Sequence, residues 1–204
     1  MASEVDIANL ALSRLADVAN VSVISPPEAG TTAEIVARFL PIARDSLLQM
    51  HSWDFATKTA RLALLAEEPV GWDYMYTVPV WMIKALSVTQ EGTDTLCDYV
   101  VETNSDNRLV VLTNASEAIL RYVERVIDPD RFSPLFVDAL SWMLAANIAG
   151  PIIRGELGQA AANQCLKNAQ QLTNQAIAAD SRQRHSRVGD KHLPSWMAWR
   201  SKGV

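Results

Sequence analysis

The chain has 204 residues, 49% of them hydrophobic, and its 18 Lys and Arg residues against 23 Asp and Glu residues give a net charge of -5. This length allows a full hydrophobic core with room for a smaller second unit, and the acidic balance argues against a protein that coats nucleic acid. Two isolated cysteines, Cys97 and Cys165, fit neither a disulfide framework nor a zinc site, so a reducing compartment is the simpler expectation.

Nothing in the sequence predicts a targeting or membrane segment. The first ten residues have no basic region followed by an apolar core, so we expect no signal peptide. The longest uncharged run, residues 139–153, is interrupted by Gly150 and Pro151 and is short for a membrane span. We therefore expect no membrane anchor.

Two helices are predicted before residue 51. Ser3 followed by Asp6 resembles a capping box, and the apolar residues after it share one helical face to about residue 18. A loop with two prolines comes next. Thr31 with Glu34 is a second capping signature, and it predicts a second helix that Pro41 should kink.

After the second helix the period of the apolar residues changes. Trp53 and Phe55 are two apart and a Thr-rich segment follows, which predicts strands and a domain border. The NSDN segment predicts a hairpin, and the last strand should bury one face only. We expect one small sheet, with strands at residues 55–65, 74–78, 85–89, 96–102, 109–112 and 118–126.

Two further helices follow the predicted sheet. Ser133 and Pro134 form an N-cap and first-turn pair for a helix over residues 135–148, which is apolar nearly all round and should be central. The Gly-Pro pair after it should close or kink it. The pattern of residues 156–184 predicts a long helix rich in Ala, Gln and Asn. This helix either packs lengthwise on partners or is an ordinary surface helix of a bundle.

The last segment is basic and carries tryptophans. Residues 181–204 contain six Lys and Arg residues against Asp190 alone. Exposed tryptophans are costly unless something covers them. The pattern predicts an arm that docks into a groove, and the alternative is a tail that folds back and caps its own domain.

No catalytic pattern accompanies these elements. Catalysis needs a nucleophile beside a base, converging carboxylates or a metal set, and none occurs at recognisable spacing. His51 is isolated, and His185 and His192 lie in the basic tail, where a surface role is favoured. We therefore expect no enzymatic activity, no catalytic residue, no metal and no cofactor.

The order of features resembles the head-to-tail adaptor proteins of tailed phages, the tail tubular protein A family of short-tailed phages. The resemblance covers residues 3–179 and lies in the segments SEVDIANLALSRLAD, ARDSLLQMHSWDFATKTARLALL and GWDYMYTVP. Its most telling positions are Arg44, Asp45, Leu48, Trp53, Phe55, Ala56, Arg61, Leu62, Trp72, Tyr76 and Pro79.

This resemblance implies an α+β fold: a helical bundle body (residues 1–50 and 130–184), an inserted small antiparallel β domain (51–129) and an extended C-terminal arm (185–204). It also implies a structural virion protein, assembled in the host cytoplasm, which forms a homo-oligomeric ring of about twelve copies at the head-to-tail interface. The ring would join a portal protein to a downstream tail or nozzle protein. Genomic DNA would pass through its lumen without specific binding.

On this interpretation four aromatic residues pack the seam between helices and strands, and His51 lies at the seam without a chemical task. The seam residues are Trp53, Phe55, Trp72 and Tyr76. The candidates for portal docking are Arg187, Lys191, Trp196, Met197, Trp199, Arg200 and Lys202. Two other functions stay open: a nucleic-acid-binding or regulatory module acting through the basic tail, and an undetected enzyme.

Overall fold

The computed structural model describes residues 2–16, 20–93 and 95–183, which form helices and strands in the predicted order. The helices are α1 (Glu4–Arg14), α2 (Thr31–Met50), α3 (Pro134–Ile153) and α4 (Gly155–Gln183). The strands are β1 (Thr57–Arg61), β2 (Tyr74–Thr77), β3 (Met82–Gln90), β4 (Leu96–Cys97), β5 (Tyr99–Thr103), β6 (Leu109–Thr113) and β7 (Ala118–Glu124). The predicted α+β class is confirmed.

Helix α1 begins with the predicted capping box. The Ser3 hydroxyl accepts a hydrogen bond from the Asp6 amide at 3.1 Å, and the Asp6 carboxylate accepts one from the Ser3 amide at 2.9 Å. The Ser3 hydrogen bonds hold the pKa of Asp6 below its ordinary value. The helix ends at Arg14, before the predicted residue 18, because Ala16 adopts a φ of 56° that helical backbone does not allow.

Helix α2 begins one residue before its predicted start. Gly30, with a φ of 153°, is the N-cap, and Thr31 is the first helical residue, so the prediction of a Thr31 cap was wrong. The helix continues through Pro41 to Met50. The predicted kink at Pro41 stays a prediction.

Helix α3 is the central helix of the body. Ser133 accepts from the Phe136 amide as its N-cap, as predicted, and α3 contacts α1, α2 and α4. Gly150 and Pro151 were predicted to close or kink it. They do not close it, because the helix runs on to Ile153, and a kink there stays a prediction. It is long and apolar enough to cross a membrane by length and composition, and half of that stretch is buried in the fold.

A sharp reversal joins α3 to α4. Arg154 and Gly155 adopt φ angles of 58° and 65°, which end α3 and send α4 back along it. The two helices lie close together at Gly158, since a Cβ there would be 3.3 Å from the Ala149 carbonyl oxygen. This close approach lets the small buried residues of α4 pack on α3 with few large apolar side chains.

The strands form two antiparallel sheets, in the orders β1-β7-β3-β4 and β2-β6-β5. The prediction of a single sheet was wrong. Asp98 divides the strand predicted at residues 96–102 into β4 of the first sheet and β5 of the second. The NSDN hairpin is confirmed between β5 and β6, where Asn107 has a φ of 62°.

Strand β7 connects the two cores of the molecule. Its Leu120 and Tyr122 pack in a cluster with Tyr76, between the sheets. On its other face Val123 is buried in the core of the four helices. The prediction that this strand buries only one face was therefore wrong at Val123.

Candidate functional site

The junction of α2 with β1 is an aromatic cluster that joins helices to strands. Trp53 is buried and stacks on Phe55 at a ring-centroid distance of 6.0 Å, and both rings lie near Phe136 of α3, at 5.1 and 5.0 Å. The indole N–H of Trp53 donates to the Leu47 carbonyl oxygen at 2.8 Å. Because its polar atom is satisfied, Trp53 is buried without a desolvation penalty. Trp53 and Phe55 thus lie at the seam where the sequence predicted them.

His51 joins the end of α4 to this cluster. Its Nε2 lies 3.0 Å from a carboxylate oxygen of Asp180, and its ring meets the Trp53 ring edge-on at 5.0 Å. The other carboxylate oxygen of Asp180 accepts from the Asp54 amide at 3.2 Å. His51 is therefore a seam residue, as predicted, and its partner comes from the far end of the chain.

Polar contacts also connect the strands to α2. The Lys84 ammonium donates to the Gln49 carbonyl oxygen at 2.7 Å, and partial burial lowers the pKa of Lys84. Arg125 pairs with Asp45 of α2 at 2.9 Å, and its amide donates to the Trp81 carbonyl oxygen at 2.7 Å. Strands β3 and β7 are thereby held against the end of α2.

Glu124, at the end of β7, joins two cations at the seam. Its carboxylate lies 2.6 Å from the Lys58 ammonium and 3.2 Å from the Arg131 guanidinium. Burial alone would raise the pKa of Glu124, but the hydrogen bonds from these two cations outweigh it and hold the pKa below its ordinary value. Arg131 also donates to the Phe55 carbonyl oxygen at 2.6 Å, so the group fastens the aromatic cluster.

The lowered pKa of Glu124 predicts a pH-dependent contribution to stability. The carboxylate stabilises the fold above its unfolded-state pKa, and this stabilisation is lost as the pH falls through the lower folded-state pKa. Glu124→Gln should therefore be less stable than the natural chain at pH 7, and this deficit should be smaller near pH 3. Urea denaturation at both pH values checks this, with Glu102→Gln, an exposed carboxylate on β5, as control. An equal deficit at both pH values would contradict the assignment.

Four exposed apolar side chains lie on α2 and in the β2–β3 turn, the two elements that Arg125 connects. We call them the seam surface: Ile42 and Met50 on α2, and Val80 and Trp81 in the turn. Their exposed fractions are 54%, 54%, 90% and 50%. Ile42 lies one helical turn from Asp45, which Arg125 links to the Trp81 backbone, and Met50 follows Gln49, whose carbonyl oxygen accepts from Lys84 of β3. These contacts join the two elements that carry the seam surface, and the seam surface is the candidate functional site.

No protein-family model matches this chain, and a search of curated proteins returns no match.

The remaining predicted site residues lie elsewhere. Tyr76 packs between the sheets and donates its hydroxyl to the Ala115 carbonyl oxygen at 2.7 Å, and Trp72 packs against Met75 and its neighbours in the second sheet. The structure thus places Tyr76 in β2 and Trp72 in the bend before β2, both packed in the strand region and not at the seam. The predicted docking residues lie outside the described residues: Arg187, Lys191, Trp196, Met197, Trp199, Arg200 and Lys202.

Helix α4 presents a long neutral face to solvent. Lys167 is the one charged residue between Glu156 and Asp180, and the exposed side chains are mostly amides. Its buried positions, among them Cys165 and Ala169, pack against the helical core. These contacts are those of a surface helix in a bundle, and lengthwise packing on partners stays a prediction.

The described residues contain no group of three His, Cys, Asp or Glu side chains placed to hold a metal ion. A cavity of about 550 Å³ opens beside the β5–β6 turn, where Glu67 accepts hydrogen bonds from Asn104 and Ser105. This carboxylate fastens the turn. Burial raises the pKa of the Cys165 thiol, which keeps that sulfur protonated and unreactive.

Proposed function

We propose that the protein is a structural virion protein of a tailed phage: a head-to-tail adaptor whose copies form a ring of about twelve between portal and tail. The proposal starts from the resemblance of residues 3–179 to such adaptors. The fold supports it, because a helical body interrupted between α2 and α3 by a strand region is the architecture that the resemblance implies.

The seam surface is the observation that carries the proposal. Single exposed apolar residues are ordinary, but four on a helix and a turn that the Arg125 and Lys84 contacts join to each other favour a protein contact surface. The Arg125–Asp45 and Lys84–Gln49 contacts hold the helix and the strands together, and such preorganisation lowers the entropic cost of binding a partner. In a ring, the seam surface of one copy contacts a different surface of the next.

The distribution of charge suits a conduit for DNA. Five of the 18 basic residues lie in residues 184–204, which leaves 13 against 22 acidic residues in the remainder of the chain. Tight DNA binding depends on cations that neutralise phosphates, and an acidic or neutral wall lacks them. The lumen would therefore let genomic DNA pass without specific binding.

The basic segment favours a second candidate, a nucleic-acid-binding or regulatory module. The two functions differ in what the purified protein binds. A regulator should bind a DNA duplex with an affinity that falls steeply with salt, whereas an adaptor should sediment with portal particles of the same phage.

Sedimentation of the natural chain with portal particles, and a separate titration with a DNA duplex, test the proposal. We expect a complex with the portal and no tight DNA binding at 150 mM salt. Salt-sensitive DNA binding without portal binding would replace the adaptor with the second candidate.

A further inference from the structure

A groove of about 520 Å³ lies where the start of α1, the loop before α2 and the linker from β7 to α3 meet. Residues 2–5, 22–25 and 127–130 line it. A volume of this size accommodates a large aromatic side chain with its neighbours, since drug-sized ligands fill sites of roughly 300–1,000 Å³. None of the residues of the seam surface lines this groove.

The charged residues of the groove are all acidic. Glu4, Asp128 and Asp130 line it, and its described lining includes no Lys, Arg or His. Asp128 and Asp130 form no ion pair with a described residue, and Glu4 meets a cation, Arg44, only at 3.9 Å. The groove thus presents carboxylates that lack close cationic partners among the described residues.

Apolar side chains form the rest of the wall. Val23 and Ile127 are 44% and 47% exposed, and Val5 and Pro129 lie beside them. An occupant that matches both parts of the groove needs cations and large apolar side chains close together in sequence. Such an occupant gains from apolar burial and from charge pairing at the rim.

One segment of this chain has that composition. Residues 184–204 carry five Lys and Arg residues against Asp190, with Trp196, Met197 and Trp199 directly before Arg200. We propose that the groove binds this segment from the same chain. A tryptophan fills the apolar part, and the flanking cations pair with Asp128 and Asp130.

The connection is long enough for binding within one chain. Helix α4 ends at Gln183, three residues after Asp180, which holds the Asp54 amide at 3.2 Å. The next residue, Phe55, accepts from Arg131, the neighbour of Asp130 at the groove. The residues from 184 to 196 span about 40 Å when extended. This length exceeds the distance from the end of α4 to the groove along these few contacts.

The groove would bind the segment whether or not the chain forms a ring. In an adaptor, this docking would hold the arm against its own body until the portal competes for the same side chains. The free arm would then be the minor state, and portal binding would select it.

Tryptic cleavage of the full chain after Arg187 and Lys191, followed by mass spectrometry at low ionic strength, tests the proposal. The groove variant is Asp128→Asn with Asp130→Asn, in which Asn retains the capping ability of the carboxylate at residue 128. The control is Glu102→Gln with Glu117→Gln, which removes the same charge from exposed positions among the strands. We expect cleavage about tenfold faster in the groove variant than in the natural chain and the control, because cleavage tracks the undocked population.

A second measurement uses the arm itself. Trp196→Ser with Trp199→Ser in the full chain should speed amide hydrogen exchange at residues 22–25 and 127–130. Equal cleavage in all three proteins together with unchanged exchange would overturn the proposal. Protection that rises with protein concentration over a hundredfold range would also overturn it, since the groove would then be filled by a second copy.

Discussion

Trp53→Ala is expected to lower the free energy of unfolding by about 3–5 kcal/mol, the range for removing a large aromatic side chain from a core. The effect should lie at the upper end, because the indole packs against three aromatic rings and donates to the Leu47 carbonyl oxygen. Its removal leaves a cavity between helices and strands and removes the hydrogen bond to the Leu47 carbonyl oxygen.

Chemical denaturation followed by circular dichroism measures this loss. Trp81→Ala is the matched control, since it removes the same side chain from a half-exposed position, where substitutions usually change stability by about 0.5 kcal/mol or less. Trp53→Phe should fall between the two, because a ring remains but the hydrogen bond is lost. Equal effects of Trp53→Ala and Trp81→Ala would contradict the placement of Trp53 as the residue that fixes the seam.

The second large effect is expected on assembly. Met50→Glu with Trp81→Glu places two carboxylates on the seam surface, where a neighbouring copy would bury them without cations. The dominant side chains of an interface contribute about 2 kcal/mol or more each, so the loss of Met50 and Trp81 together should weaken subunit association by at least about a hundredfold. Both side chains are half exposed in the single chain, so the fold should be retained.

Sedimentation with portal particles measures the assembly defect, and circular dichroism verifies the fold. Val70→Glu with Leu96→Glu is the matched control, because it adds the same charge at exposed apolar positions among the strands. Rings that persist in the seam variant, or that disappear equally in the control, would show that copies meet elsewhere.

Local signals in the sequence predicted the elements of this fold well. The capping box of Ser3 and Asp6 and the N-cap at Ser133 depend on residues three positions apart, so a short stretch of sequence is enough to predict them. The hairpin at Asn104–Asn107 is also local, since its hydrogen bonds join neighbouring residues. The Trp-x-Phe spacing after α2 correctly marked the change from helix to strand, but its interpretation as a strand from residue 55 was wrong, because Asp54–Ala56 form a 3-10 turn and β1 begins at Thr57.

Contacts between distant residues could not be predicted in this way. Asp180 lies 129 residues from His51, and no periodicity records that pairing. The division into two sheets depends on Asp98, where one apolar run changes partner, and a single strand is equally compatible with that run. Trp72 and Tyr76 were predicted at the seam on the basis of the resemblance, but the pairing of β2 with β6 buries Tyr76 between the sheets, and Trp72 packs against Met75 of β2.

The helix-breaking residues near the end of α3 were misleading because burial outweighs their local preference. Gly150 and Pro151 are strong helix breakers in isolation, but in the last turn of α3 the missing proline amide costs one hydrogen bond while Ile148 and its neighbours remain buried. Packing against α4 outweighs that loss. The helix therefore ends at Ile153, and the backbone turns at Arg154.

Electron microscopy of the natural protein bound to portal particles tests the central claim most directly. The account predicts a closed ring beneath the portal, with Met50 and Trp81 of each copy buried against the next copy. The wall of the central channel should lack the cationic side chains that would bind DNA tightly. Monomers in the presence of the portal, or a ring in which the seam surface faces solvent, would contradict it.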